Sequence, residues 1–137
     1  MNNLYARSIF FVRSAESSLR FYVEKLGFSM DWNYQEEGRT FVCQVSLLGF
    51  ELILNETIRQ TRARAGQGRV FIGLDDEQLE PFRRHIIERG IETQRVDWGR
   101  PTLAVRDLDG NELFFWLPHD DFSDFTTPAF ASERIGE

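Results

Sequence analysis

Apolar residues run together in SIFFV (8–12), then recur at helical spacing at Ala15, Leu19, Tyr22, Val23 and Leu26. The first run is rich in residues that favour a strand. The second set makes one buried helix face. Ser14 is placed to cap that helix, with Glu16 in its first turn, and Gly27 closes it in the left-handed conformation. Shorter apolar runs then predict strands near 28–34, 39–46 and 50–55. The same order returns downstream. Val70 to Leu74 reads as a strand, and Asp75 or Asp76 as the cap of a helix whose inward face is Leu79, Phe82 and Ile86. Pro81 lies early enough in that helix to be tolerated, and Gly90 ends it. Strands near 91–96, 101–106 and 112–117 follow.

The two halves are a weak internal repeat. Gly38-Arg39 is followed by an apolar strand, Gly49 and FELIL; Gly99-Arg100 is followed by an apolar strand, Gly110 and NELFF. Glu51-Leu52 and Glu112-Leu113 therefore hold the same place. Upstream, KLGF (25–28) and ERGI (88–91) end the two helices. The organisation expected is a βαβββ module over 4–56, a connector over 57–68, a second module over 69–118 and a tail over 119–137. In each module the helix covers one sheet face, so the other must curve round a cavity or meet a partner. Arg59, Arg62, Arg64 and Arg69 fall in or beside the connector and read as a solvated segment. Phe122, Phe125 and Phe130 give the tail a docking character, with a frayed end as the alternative.

Composition narrows the function. Hydrophobic residues make up 42% of the 137, with thirteen Phe and three Trp, which is enough for a folded core. A net charge of −6 argues against nucleic acid and favours a cation over an anion. No run approaches the roughly 20 apolar residues of a membrane span. MNNLYARSIFF lacks the features of a secretion signal, so a cytoplasmic location is expected. Cys43 is the single cysteine, which excludes an internal disulfide and a cysteine-based zinc cluster; it reads as a core thiol. The two histidines, His85 on the outer side of the second helix and His119 past the last strand, read as surface residues. No Ser-His-Asp or Cys-His arrangement can be argued, and no catalytic residue is assigned.

Two segments carry more information. AESSLRFYVEKLGF (15–28) and RDLDGNELFF (106–115), at their spacing, resemble the vicinal oxygen chelate superfamily of glyoxalases, extradiol dioxygenases and bleomycin-resistance proteins. Leu108 stands where that family usually has proline. The resemblance implies an α+β fold in which two βαβββ modules form a curved mixed sheet around a cavity. In the superfamily's enzymes, His, Glu or Gln from the first and last strands of each module hold a divalent metal. The matching positions here are Arg7, Ile53 (with Glu51 as the register alternative), Gly68 or Arg69, and Phe114. Arginine is always charged and does not donate to metal. At most Glu51 could serve, so no metal site and no cofactor are expected.

Within the superfamily, LGFSMDW (26–32), ELILN (51–55), DWGRPTLAVRDLDGNELFF (97–115) and the acidic HDDFSD most resemble the bleomycin-resistance branch. That branch implies a homodimer that sequesters a ligand in clefts between its chains, which suits a sheet with an uncovered side. Such ligands are planar and cationic, and call for aromatic walls and carboxylates. Strand alternation puts Glu51, Ile53 and Asn55 on one face, and Glu112, Phe114 and Trp116 on the equivalent one. Asp31, Trp32, Phe41 and Trp98 join them by the motif matches. The plain alternative makes the rings core residues and the two glutamates solvated edges. The reading is a metal-independent protein that sequesters a cationic aromatic, bleomycin-like antibiotic, with no nucleic-acid or membrane partner. Two others compete: a glyoxalase- or dioxygenase-type enzyme with its metal moved to Glu51 and Glu112, and a scaffold dimer whose tail binds another protein.

Overall fold

In the computed structural model, which describes residues 4–118 and Phe125, each half of the repeat becomes one four-stranded mixed sheet with a helix. The first half comprises β1 (Ser8–Val12), α1 (Ala15–Arg20), β2 (Ser29–Glu36), β3 (Arg39–Leu47) and β4 (Phe50–Glu56), in sheet order β1-β4-β3-β2. A 3-10 helix, Arg59–Arg64, occupies half of the expected connector. The second half comprises β5 (Arg69–Gly73), α2 (Asp76–Arg89), β6 (Gln94–Asp97), β7 (Pro101–Arg106) and β8 (Glu112–Trp116), in order β5-β8-β7-β6. Strands β1 and β4 run parallel, as do β5 and β8; the other neighbours are antiparallel. Both helices are capped as expected. Ser14 accepts from Ser17 N at 3.2 Å. Asp75 and Gln78 form a reciprocal capping box, and Gly90 turns left-handed at φ 62°.

One strand boundary and two side chains depart from the expectation. The sixth strand begins at Gln94, not Ile91. Val23 is exposed and Ser18 buried in its place. Ala15, Ser18, Tyr22 and Leu26 share the buried side at helical spacing and Val23 lies at its rim, where a π turn over Phe21–Lys25 closes the helix. His85 is half-buried, not on an outer side: its Nε2 meets the Leu26 carbonyl at 2.7 Å. It packs where Gly27 leaves room, since a Cβ on that glycine would stand 2.5 Å from the His85 ring. One helix's periodicity cannot show a second packing partner.

A single core joins the halves. It draws Val12, Tyr22, Cys43 and Leu54 from the first, and Phe82, Ile86, Leu103 and Phe115 from the second. Tyr22 meets Phe28 edge-on at 5.2 Å, and Phe82 packs on Phe115 at 4.7 Å. Cys43 is fully buried, and burial pushes its thiol up to about 11. Phe125 of the tail is buried against Phe82, with ring centroids 6.4 Å apart. His119, Phe122 and Phe130 lie outside the described residues. Among the described residues, no helix is long and apolar enough to cross a membrane.

The turn before β8 ties the halves together. Asp107 is buried and accepts from the Tyr22 hydroxyl (2.9 Å), from Asn111 Nδ2 (3.0 Å), and from the backbone N–H groups of Asp109 and Asn111 (2.9 Å each). Asn111, fully buried, donates to the Phe11 carbonyl at 3.1 Å and accepts from Gly68 N at 2.8 Å. Asp109 accepts from both the backbone N–H and the guanidinium of Arg13. Leu108, the departure from the family's proline, is exposed at the tip.

Asn111→Ala removes several buried bonds at once and is expected to cost about 3 kcal/mol in urea unfolding. Burial pushes the Asp107 carboxyl above its ordinary 3.8, outweighing the opposing pull of the bonds from Asn111 and Tyr22. The folded chain therefore holds the Asp107 proton more tightly than the unfolded chain. Its contribution to stability is complete below 3.8 and is lost as pH rises through the raised folded value. Unfolding of wild type and Asp107→Asn, compared from neutral pH down to about pH 4, is expected to shift in the wild type's favour on acidification.

Candidate functional site

The sheet faces without helices hold the sequence-predicted site residues. On the first sheet, register places Glu51, Ile53 and Asn55 of β4 beside Ser46, Gln44 and Val42 of β3. Ile9 of β1 lies next to Ile53, and Trp32 and Tyr34 of β2 next to Gln44 and Val42. A register shift between Met30 and Trp32 lets Asp31 reach the same face as its neighbour. There Asp31 accepts from Ser46 Oγ at 2.9 Å and from Gln44 Nε2 at 2.8 Å. Gln44 Nε2 also donates to Glu51 at 3.3 Å, while its Oε1 accepts from Arg7 (2.7 Å) and the Trp32 indole (3.2 Å). Asp31, Trp32, Glu51, Ile53 and Asn55 are thus brought onto one face. Phe41 lies at a second register shift, between the Tyr34–Val42 and Gln35–Thr40 pairs, and is half-buried there. The face is open: Ile9, Trp32 and Tyr34 are exposed by 54%, 39% and 52%.

The second sheet places Glu112, Phe114 and Trp116 of β8 on the corresponding face, opposite Arg69, Phe71 and Gly73 of β5. This face is largely filled from within. Phe114 is only 1% exposed, in a small cluster with Val96 and Ala104 and with Trp98 packed over it at 4.7 Å. Trp98 stacks in turn with Phe71, interplanar angle 14° and centroids 6.1 Å apart. Arg69 lies over the Phe114 ring at 4.7 Å, and Arg100 over Trp116 at 4.0 Å. Phe114 therefore replaces a carboxylate because it is the floor of a second, smaller core. It is covered by Trp98, not open as a stacking wall.

The metal-ligand positions of the resembled superfamily hold a different chemistry. Arg7 Nε stands 3.4 Å from Glu51, and Arg69 Nε 2.9 Å from Glu112, at equivalent places in the two sheets. Arg106 is a second partner of Glu112 at 3.1 Å. Each carboxylate that might serve a metal is engaged by a guanidinium, and Phe114 offers no donor. Among the described residues, no three His, Cys, Asp or Glu side chains are grouped to hold an ion. The residues present do not fit the superfamily's metal. Gln44, Tyr34 and Phe71 lie outside the sequence reading, which has Arg7 only as a position without a metal donor; strand parity in FVCQV is the signal available for Gln44.

The contrast between the faces is measurable. Phe114→Ala empties a covered site and is expected to cost about 3–4 kcal/mol in chemical denaturation. Trp32→Ala on the open face is expected to cost about 1 kcal/mol.

Solved structures share this architecture at low identity. An antibiotic binding protein, TnmS3 from Streptomyces sp. CB03234, is 20% identical with a TM-score of 0.56, over 87% of this chain and 100% of that one. The bleomycin-binding protein from bleomycin-producing Streptomyces verticillus, complexed with copper(II)-bleomycin, is 19% identical with a TM-score of 0.60 over the same shares. TioX from Micromonospora sp. ML1 is 14% identical with a TM-score of 0.57, over 85% and 97%. No curated protein matches significantly. The family model of glyoxalases, bleomycin resistance proteins and dioxygenases matches residues 5–115, and the chain belongs to the Glyoxalase/Bleomycin resistance protein/Dioxygenase superfamily.

Proposed function

We propose that the protein binds and sequesters a small planar cationic compound, of the bleomycin type, without a metal, in a cleft completed by a second copy of the chain. The observation that carries this reading is the open first face. It places an exposed aromatic ring, Trp32, beside two carboxylates: Asp31, held by Gln44 and Ser46, and Glu51, shared between Gln44 and Arg7. A flat ring attracts planar ligands and cations, and carboxylates attract a desolvated cation. Two structural neighbours are an antibiotic binding protein and a bleomycin-binding protein, which agrees with this class of ligand.

The dimer rests on exposed apolar side chains. Ile9 and Tyr34 on the first face, and Phe71 on the second, are each more than half exposed. A second copy laid over these faces would remove that surface from water and wall the cleft. The enzyme reading, with metal on Glu51 and Glu112, is less favoured because Arg7, Arg69 and Arg106 already engage those carboxylates.

The test is titration with metal-free bleomycin, followed by tryptophan fluorescence. Saturable quenching with one ligand per chain is expected. Affinity should fall as salt rises, since carboxylates contribute, and Asp31→Asn should weaken binding about tenfold. A flat titration sinks the sequestration reading. A monomer in sedimentation at the concentrations used sinks the dimer cleft.

A further inference from the structure

Gln44 is the residue that the first face is built around, and neither its motif nor its position in a core strand announces it. It sits between Cys43 and Val45, both buried toward the helix, yet it is itself only 3% exposed on the other side. Both of its polar atoms are fully engaged. Oε1 accepts from Arg7 at 2.7 Å and from the Trp32 indole N–H at 3.2 Å. Nε2 donates to Asp31 at 2.8 Å and to Glu51 at 3.3 Å.

The orientation of this amide follows from its partners' chemistry. A guanidinium and an indole N–H can only donate, and ionised carboxylates can only accept. Reversing the amide would set donor against donor on one side and acceptor against acceptor on the other. The amide thus has one allowed orientation, and it sorts its four neighbours into a donor side and an acceptor side. Two further things follow. The Trp32 ring is pinned through its N–H, so it is a fixed shelf. The two carboxylates are drawn to one nitrogen from separate strands; Arg7 reaches from the amide oxygen to Glu51 at 3.4 Å, whereas Asp31 is held by the neutral donors Gln44 and Ser46.

We propose that Gln44 is the positioning residue of the first face: it fixes the Trp32 shelf and directs the Asp31 and Glu51 carboxylates together, so that the face selects a planar ring bearing a hydrogen-bond-donating cation over an equally planar anion. This rests on the sequestration reading and adds the determinant of charge preference to it.

The test uses two planar tricyclic probes of opposite charge, proflavine (cation) and 9-anthracenecarboxylate (anion), each followed by its own fluorescence. The variants are Gln44→Met, which keeps the length and removes both bonding atoms, and Trp32→Phe, which keeps a ring and removes only its anchor. Wild type is expected to prefer proflavine. Gln44→Met should lose about tenfold in proflavine affinity, and its cation-to-anion ratio should fall toward one. Trp32→Phe, on the open face and expected to fold normally, should lose several-fold and decides the matter should Gln44→Met fail to fold. The ratio is informative because a purely structural role would weaken both probes alike.

An unchanged ratio in the folded Gln44→Met variant, or undiminished proflavine binding by Trp32→Phe if that variant has to decide, overturns the inference. So does a wild type that prefers the anion, or one that takes up bleomycin and ignores proflavine; in both cases sequestration still stands. A wild type that binds neither bleomycin nor proflavine overturns both.

Discussion

The hydrogen bond from the Tyr22 phenol to the buried Asp107 carboxylate, 2.9 Å long, is the constraint on which the arrangement of the two halves depends. Each half has its own sheet and helix, and one core draws buried side chains from both. Tyr22 belongs to the first helix and Asp107 to the last turn of the second module, so the bond fixes one against the other. Burial raises the Tyr22 hydroxyl well above its ordinary range, with the Asp107 charge adding to the effect. The phenol therefore stays protonated and remains a donor. Asn111 extends the same turn to Phe11, near the end of β1, and to Gly68, just before β5. With the helix-bearing sides locked together in this way, the other two sheet faces are left for function.

Those faces have diverged although their frames are the same. Arg7–Glu51 and Arg69–Glu112 stand in equivalent register, yet what surrounds them differs. Beside Glu51, β3 offers Gln44, a group that can organise other polar side chains. In the matching place, β7 offers Ala104, and the space above it is taken by Phe114 and Trp98. One face kept a polar network and an exposed ring, and the other became a small apolar core with arginines over its rings. Filling the second face with hydrocarbon removes the donors a metal would need from that side, and the guanidinium groups engage the carboxylates on both.

Much of the fold was legible because it depends on local rules. Ser14, Asp75, Gly27 and Gly90 mark helix ends through chemistry within a few residues of each other, and the Gly49 and Gly110 turns fix where β4 and β8 begin. What escaped was non-local or irregular. Val23 lies at the edge of its helix's buried face, beside the irregular π turn at Phe21–Lys25, and is exposed. His85 was misread because its partner is a carbonyl in the other half. For the site, alternation puts Glu51, Ile53 and Asn55 on one face, as β4 has them, whereas Phe41 falls at a register shift that alternation cannot follow. The register shift that brings Asp31 beside Trp32 is a backbone irregularity with no side-chain signature.

The lone Cys43 has a use unrelated to binding. Only the thiolate attacks alkylating reagents, and here the group is fully buried with its thiol held up to about 11. Its reactivity therefore depends on how often β3 parts from its neighbours, since no other cysteine is present to give a background. The molecule carries its own clock for that opening. Because Gln44 is the next residue on the same strand, the clock registers the lifetime of the very backbone on which the polar network is built.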